Sequence, residues 1–333
     1  MKRALLLLLI SFAVFSCSDG SAIYKIASTG KPYEIMVISH NNVWNSAAGD
    51  TLKAIFGQEA DMLNQPEPIY DIYNVLPQSA NNNILRHRNL FQLNVNPSFT
   101  ETELSLTYDR YASNQLDIRF TSPSNDSLAA YISQNREVLV ALMDKTERDR
   151  MAKRAKEFNA SAIERQIYDQ FGFRMTIPRG YRVRNSNDNF LWLSNEMPLA
   201  SQGIIIYTFP FLSTGDYMDA DSIVARRDDA VRNVPGPRPG TYMTSEKMFF
   251  PLMKSYTINN RQWNETRGFW KVQGDFMGGP YVNYTTIDQA NNRVIGIDMY
   301  VMSHNARYGR RNYIRQLENL IITVEIPLTA PQE

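Results

Sequence analysis

Cys17 is the only cysteine in a chain of 333 residues, and no other feature constrains the fold as much. Without a second thiol there is no intramolecular disulfide, even in an oxidising compartment. Burial of apolar surface alone must therefore hold the structure together. More than 300 residues follow that cysteine, enough for one large core or for two domains.

The position of the cysteine is as informative as its solitude. Lys2 and Arg3 open the chain, an apolar run with five consecutive leucines spans residues 4–10, and residues 11–15 prolong it. Such a stretch is too short to span a bilayer stably and has the layout of a secretory signal. Val14-Phe15-Ser16-Cys17 then resembles the bacterial lipobox, with an aliphatic residue, a small residue and the cysteine whose thiol accepts diacylglycerol. The expectation is a signal peptide over residues 1–16, cleavage before Cys17, and lipid on Cys17 as the membrane anchor. Several acyl chains on one N-terminus hold stably where one would be marginal. Removing the signal takes Lys2 and Arg3 from the 35 basic side chains. It leaves 33 against 34 acidic ones, a formal charge of −1. That balance argues against a nucleic-acid partner, which selects for basic excess.

Residues 17–32 read as lipidated cysteine and a small, polar tether. Hydrophobic periodicity organises the rest. A buried strand is expected at 34–38, a helix at 45–56 stopped by Gly57, and strands at 69–75, 90–95 and 115–121. The clearest helix covers 126–143, where Leu128, Tyr131, Ile132, Asn135, Val138, Leu139 and Leu142 recur at helical spacing behind Pro123-Ser124-Asn125. The charged stretch 145–156 reads as a solvated helix linking two halves. A basic face for anionic lipid headgroups is its sharper reading.

In the second half, residues 171–181 read as strand, turn, strand. A hairpin is expected between 181–183 and 190–193 around Asn187-Asp188-Asn189. An apolar strand follows at 203–211, then a helix at 219–231 ended by Pro235-Gly236-Pro237. Several strands are expected between 243 and 302, the best pair being 281–287 with 294–301, before a closing helix at 310–321. This is an α+β class with mainly antiparallel sheets and covering helices, in an N-terminal domain over 33–160 and a C-terminal domain over 165–328. The two units are of similar size and each ends on an amphipathic helix, which also allows a duplicated α/β sandwich.

Over residues 33–326 the layout resembles a family of uncharacterised lipoproteins from Bacteroidetes-type bacteria. The lipobox, the Thr29-Gly30-Lys31-Pro32 lead into the first strand, the 171–181 segment and the Arg- and Tyr-rich terminal helix carry the resemblance. It implies an address in the cell envelope and no activity. The second half is also similar in pattern to the extrinsic proteins of the photosystem oxygen-evolving complex and their bacterial relatives. Their sheet, with helices on both faces, opens as Met175-Thr176-Ile177-Pro178-Arg179-Gly180-Tyr181 does here. That similarity implies an accessory or binding role, and a fold carries no function by itself. Ser18-Asp19-Gly20 lacks the acidic run associated with surface export in these bacteria. The expected location is therefore the periplasmic side of the outer membrane rather than the cell surface.

The sequence nominates no catalytic constellation. His40, His87 and His304 lie far apart, with no paired spacing and no second cysteine to complete a metal site, so no metal or cofactor is expected. No G-x-S-x-G elbow occurs. Ser28-Thr29-Gly30-Lys31 matches S-x-x-K only formally, in the tether and without the partner motifs. The 34 acids are too many to single out a glycosidase pair, although Asp298 interrupts an apolar strand.

Aromatic residues are the one enrichment. There are 4 Trp, 18 Tyr and 16 Phe, and Trp263, Phe269, Trp270, Phe276, Tyr281 and Tyr284 crowd together. Exposed rings of this kind stack on sugars or anchor interfaces, while buried ones fill a strand-rich core. The candidate binding residues are Trp263, Trp270, Tyr281, Tyr284 and Asp298. The expected function is a lipid-anchored envelope protein with a non-catalytic binding or assembly role, an envelope protein or a glycan being the partner. The alternative is a carboxylate-based hydrolase acting on a glycan or cell-wall substrate.

Overall fold

The computed structural model describes residues 25–212, 218–303 and 309–327. The signal segment, Cys17 and His304 lie outside the described residues. Strand β1 (Glu34–Ile38) turns Ile35 and Val37 to one side, where both are fully buried. Helices α1 (Asn41–Trp44) and α2 (Ala47–Phe56) carry the chain back across the sheet. The Ser46 hydroxyl caps α2 by accepting the Ala48 amide. That return makes β2 (Asp71–Val75) parallel to β1. The single turn α3 (Asn82–Leu85) leads to β3 (Asn89–Val95), parallel to β1 on its other side. Edge strand β4 (Glu103–Tyr108) turns into β5 (Leu116–Ser122), which pairs antiparallel with β4 and parallel with β3.

The strand order is β2-β1-β3-β5-β4. Helices α4 (Asn125–Gln134) and α5 (Arg136–Glu157) close one face, setting Leu128, Ile132, Leu139 and Met143 against Leu52, Phe56, Phe91 and Phe120. Pairing in this sheet is therefore mixed rather than mainly antiparallel: only β4–β5 is antiparallel, because the chain re-enters in the same direction after α1 and α2, after α3 and after β4.

Two local expectations are also corrected. The helix expected at 126–143 is two helices, broken where Asn135 leaves helical geometry at φ −101°, ψ 14° and donates its side-chain amide to the Tyr131 carbonyl. The stretch 145–156 is helical and leads toward the second domain, as expected, but it is solvated on one face only. It is the second half of α5, and it buries Glu147, Ala152 and Ala155.

The second domain opens with α6 (Ser161–Phe171), ended by Gly172 in the left-handed region at φ 69°. Residues 173–181 form no strand-turn-strand. The segment is extended and apolar at Phe173, Met175, Ile177 and Tyr181, but among the described residues it pairs only through single bridges from Pro178 to Asn159 and Arg174 to Glu325. Its alternation fits a buried extended chain as well as a strand.

Strands β6 (Arg182–Asn187), β7 (Phe190–Glu196) and β8 (Ala200–Pro210) precede α7 (Ala220–Val231), whose cap is Asp219. Then come β9 (Tyr242–Ser245), β10 (Leu252–Ile258), β11 (Arg261–Gln273), β12 (Gly278–Asp288) and β13 (Arg293–Ser303). The sheet is antiparallel in the order β10-β11-β12-β13-β8-β7-β6, with β9 also on β11. Helix α8 (Arg310–Glu318) and a 3-10 turn at Asn319–Thr323 end the fold. One sheet face packs against α6 and α8 through residues such as Leu193, Ile204 and Ile297. The other holds Ile205, Tyr207 and Tyr300 beneath α7. The whole is α+β in two domains. The strand orders and pairings of the two sheets differ, which rules out a duplicated sandwich.

The domains meet at α8. The Glu67 carboxylate, from the first domain, accepts the backbone amides of Gly309, Arg310 and Arg311 at 3.3, 3.0 and 3.3 Å. It thereby caps a helix more than 240 residues away and meets its dipole with negative charge. Arg311 then reaches Asp71 at 2.7 Å, Arg315 reaches Asp144 at 3.3 Å, and Asn319 donates to the Tyr33 hydroxyl at 2.7 Å. The Arg-rich character of the terminal helix is the chemistry of this clamp.

Candidate functional site

The five side chains nominated from sequence are interior residues. Trp263, Trp270, Tyr281 and Tyr284 are each no more than 3% exposed. Strand alternation turns Trp263 and Tyr284 toward the α8 side, and Trp270 and Tyr281 toward the α7 side. Trp270 donates to the Val301 carbonyl at 3.1 Å and meets Tyr300 edge-on at 5.4 Å. The Tyr281 ring lies across Gly268, where a Cβ would come within 2.9 Å of it. None offers a free face to a sugar. The crowding seen in sequence is mostly core packing, the exceptions being half-buried Phe269, which meets exposed Phe249 edge-on at 5.0 Å, and fully exposed Phe276. Met248, Phe249 and Phe250 are exposed as well and were not singled out by any pattern.

Asp298 is fully buried. Arg227 of α7 grips it through Nε to Oδ2 at 2.6 Å and Nη2 to Oδ1 at 3.1 Å, while Nη1 donates to Ser245 at 2.9 Å. Asn283 donates to Tyr207 at 2.9 Å and more weakly to Asp298 at 3.3 Å. The Arg227 guanidinium also lies 3.6 Å from the Tyr281 ring centre. Burial pushes the Asp298 carboxyl up, and Arg227 and Asn283 oppose it. This is a closed structural network, not a ligand site.

Open space lies instead between the domains, on two sides of α8. A cavity of about 450 Å³ is bordered by Asp144, Lys254, Glu265, Arg267, Arg315 and Glu318. Most of its charges answer one another, although Arg148 and Glu59, also in its lining, make no ion pair among the described residues. Arg267 bridges Glu265 at 2.7 Å and Glu318 at 2.6 Å, and Tyr284 donates to Glu265 at 2.7 Å. Arg315 lies 3.4 Å from Glu318, and Lys254 is 2.9 Å from Asp61.

The larger cavity, about 790 Å³, has three walls: the C-terminal half of α5, the segment 27–32, and second-domain residues including Arg179, Met197 and Gln202. Lys31, Arg88, Arg150, Lys153, Arg154 and Arg179 line it, against the single carboxylate of Glu157. Arg88 and Arg150 share Glu147, at 2.6 and 2.9 Å. The other four cations make no ion pair among the described residues. Lys153 rests 3.4 Å from the Asn114 amide oxygen, Arg179 lies 3.4 Å from the Asn159 carbonyl, and Arg154 lies over the Phe158 ring at 5.8 Å.

The 27–32 wall is fixed by its own sequence. Thr29 exchanges backbone hydrogen bonds with Arg86 and Arg88, each at 2.9 Å. Gly30, at φ 89°, then crosses the His87 ring so closely that a Cβ would lie 2.2 Å from Nε2. Only glycine meets both demands, which explains the Thr-Gly-Lys-Pro lead. The polar tether expected to reach Pro32 is thus already docked from Ala27. Burial lowers the His87 imidazole below its ordinary value, opposed by the Asn89 carbonyl and Glu34. Three of the six cations fall in the 145–156 stretch, so its basic face was visible in sequence. Arg88 and Arg179, brought in from distant segments, were not.

Residues 160–323 match DUF4837, a domain of unknown function, and residues 28–156 match a second, DUF8532. No curated protein matches the chain. Among solved structures it is similar to a mutant of the protein Mog1, at 10% identity, 46% of this chain, 90% of that chain and a TM-score of 0.30. It is also similar to the Saccharomyces cerevisiae Ran-binding protein Mog1p, at 10% identity, 48% and 93% coverage and a TM-score of 0.31. Likenesses this distant bear no argument about activity. Among the described residues no helix is long and apolar enough to cross a membrane, and no group of three His, Cys, Asp or Glu side chains could hold a metal ion.

Proposed function

We propose that the chain is an outer-membrane lipoprotein, anchored through Cys17 with its globule on the periplasmic side, which binds a ligand between its two domains without transforming it. The observation that carries the binding reading is the cationic excess of the larger cavity. Four cations without carboxylate partners, on a concave wall between two domains, form a field that an anion relieves. The reading moves away from a neutral glycan, because Trp263, Trp270, Tyr281 and Tyr284, the rings nominated to stack on one, are buried. The sequence resemblance to Bacteroidetes-type lipoproteins, and an accessory role of the kind its resemblance to the photosystem extrinsic proteins implies, both accord with it.

The hydrolase alternative needs one carboxyl raised to act as an acid. Glu318, which faces the smaller cavity, does not meet that need. Burial works to raise Glu318, but Arg267 and Arg315 together hold it below the usual carboxylate range. Native mass spectrometry of the chain, extracted from its own membranes in neutral detergent, tests the proposal. The expected species begins at Cys17, carries acyl mass, and retains one small anionic molecule. A chain without acyl mass overturns the anchor, and a chain that neither retains nor takes up any anion overturns the binding role.

A further inference from the structure

We propose that the larger cavity takes a phosphate-bearing amphiphile, its phosphate among Lys31, Lys153, Arg154 and Arg179 and its alkyl chain along the cavity's apolar lining. The proposal rests on the reading of this cavity as the ligand site and adds the ligand's chemistry. Lysine offers a compact charge and arginine a planar two-pronged donor, a combination suited to a phosphate group with several acceptor oxygens.

Charge alone would suit any small anion, and volume decides against one. About 790 Å³ is the space of some 25 waters at ~30 Å³ each, far more than inorganic phosphate fills. Much of the remaining lining is apolar: Met151, Ala155, Phe158, Pro178, Met197 and Leu320. Phe158 is 46% exposed, leaving ring surface for an alkyl chain to cover. Burying each methylene there contributes favourably, as in any water-to-apolar transfer.

Position favours the same ligand. Ala27 is part of the wall and lies ten residues beyond Cys17. Ten residues reach at most ~36 Å even when fully extended. An anchor at Cys17 therefore holds this wall within that distance of the bilayer, where phosphate-bearing amphiphiles are concentrated.

The test uses the lipidated full chain in alkyl maltoside, which is itself the neutral amphiphile control. Inorganic phosphate, glycerol phosphate and dodecyl phosphate are titrated separately, with native mass spectrometry and thermal unfolding as readouts. Dodecyl phosphate is expected to bind one per chain and to raise the unfolding midpoint, at least tenfold more tightly than either soluble phosphate. Lys153→Glu with Arg154→Glu should weaken it at least tenfold, and Met197→Glu should weaken dodecyl phosphate but not inorganic phosphate. Equal affinity for all three phosphates would overturn the amphiphile while leaving an anion-binding role. Binding of dodecyl phosphate that both variants leave unchanged would overturn the site. No binding of any of the three overturns the ligand class, and a different anion retained from native membranes would then keep the binding role alone.

Discussion

The two cavities beside α8 are both bordered by arginines and lysines, and they differ in what answers those charges. On the smaller side Arg267 is held between Glu265 and Glu318, Arg315 between Glu318 and Asp144, and Lys254 by Asp61. On the larger side, among the described residues, only Arg88 and Arg150 meet a carboxylate, the Glu147 they share. Five cations face five carboxylates on the smaller side, and six face one on the larger. A paired network holds the domains in register, whereas unpaired like charges on a concave wall repel each other until an anion enters.

The largest effect should come from the paired side. Arg267→Ala leaves Glu265 and Glu318 buried without their shared cation, a type of loss that costs about 3–5 kcal/mol. Urea denaturation of the purified chain measures it, and a loss below about 1 kcal/mol would break the contrast between the cavities. Next comes the cap of α8. Glu67→Ala removes the acceptor of three backbone amides, with an expected cost of about 1–2 kcal/mol. Glu67→Gln keeps an acceptor but not the charge and should lose less.

The paired side also carries a pH signature. The ordinary glutamate value is 4.5, and Glu318 is held below it in the folded protein because Arg267 and Arg315 outweigh burial. A depressed carboxyl contributes stability that is fully present above the unfolded value. That stability is lost as pH falls through the folded one. Urea midpoints should therefore drop below about pH 4.5, and Glu318→Gln should flatten this acid limb. An unchanged acid limb in the variant would mean that other carboxylates set it.

The two sides were also unequally legible in the sequence. Strands β1, β3, β5, β7, β8, β12 and β13 and helix α8 follow from local apolar spacing. Helices α2 and α7 follow from spacing together with the local caps Ser46 and Asp219, whereas the cap of α8 comes from distant Glu67. What local pattern could not give was pairing. Parallel and antiparallel strands carry the same alternation, so the first sheet was misread. Strand β4 escaped because, at an edge, it buries none of its residues fully. Residues 173–181 alternate like a strand yet have no continuous partner. Burial misled in the same way, since Trp270, Tyr281 and Asp298 have side chains that suit a binding surface and lie inside. The basic cavity is assembled from residues 31, 88, 150–154 and 179, and only the middle segment is contiguous.

The smallest effect on folding should come from the unpaired side, where two terms oppose each other. Arg154 lies in the last turn of α5, and a cation there gains about 0.3–1 kcal/mol from the helix dipole. Lys153→Glu with Arg154→Glu gives up that gain. It also relieves the repulsion among Lys31, Arg150, Arg179 and the two replaced cations, an energy of similar size near a surface. The net change in stability should stay within about 0.5 kcal/mol, as for surface positions without structural partners. Salt separates the two terms. Screening should stabilise the unmodified chain as ionic strength rises, because it weakens that repulsion. The double variant should respond less. A double variant that lost several kcal/mol, or that matched the parent's response to salt, would show that these cations are paired in solution and that the two cavities are alike.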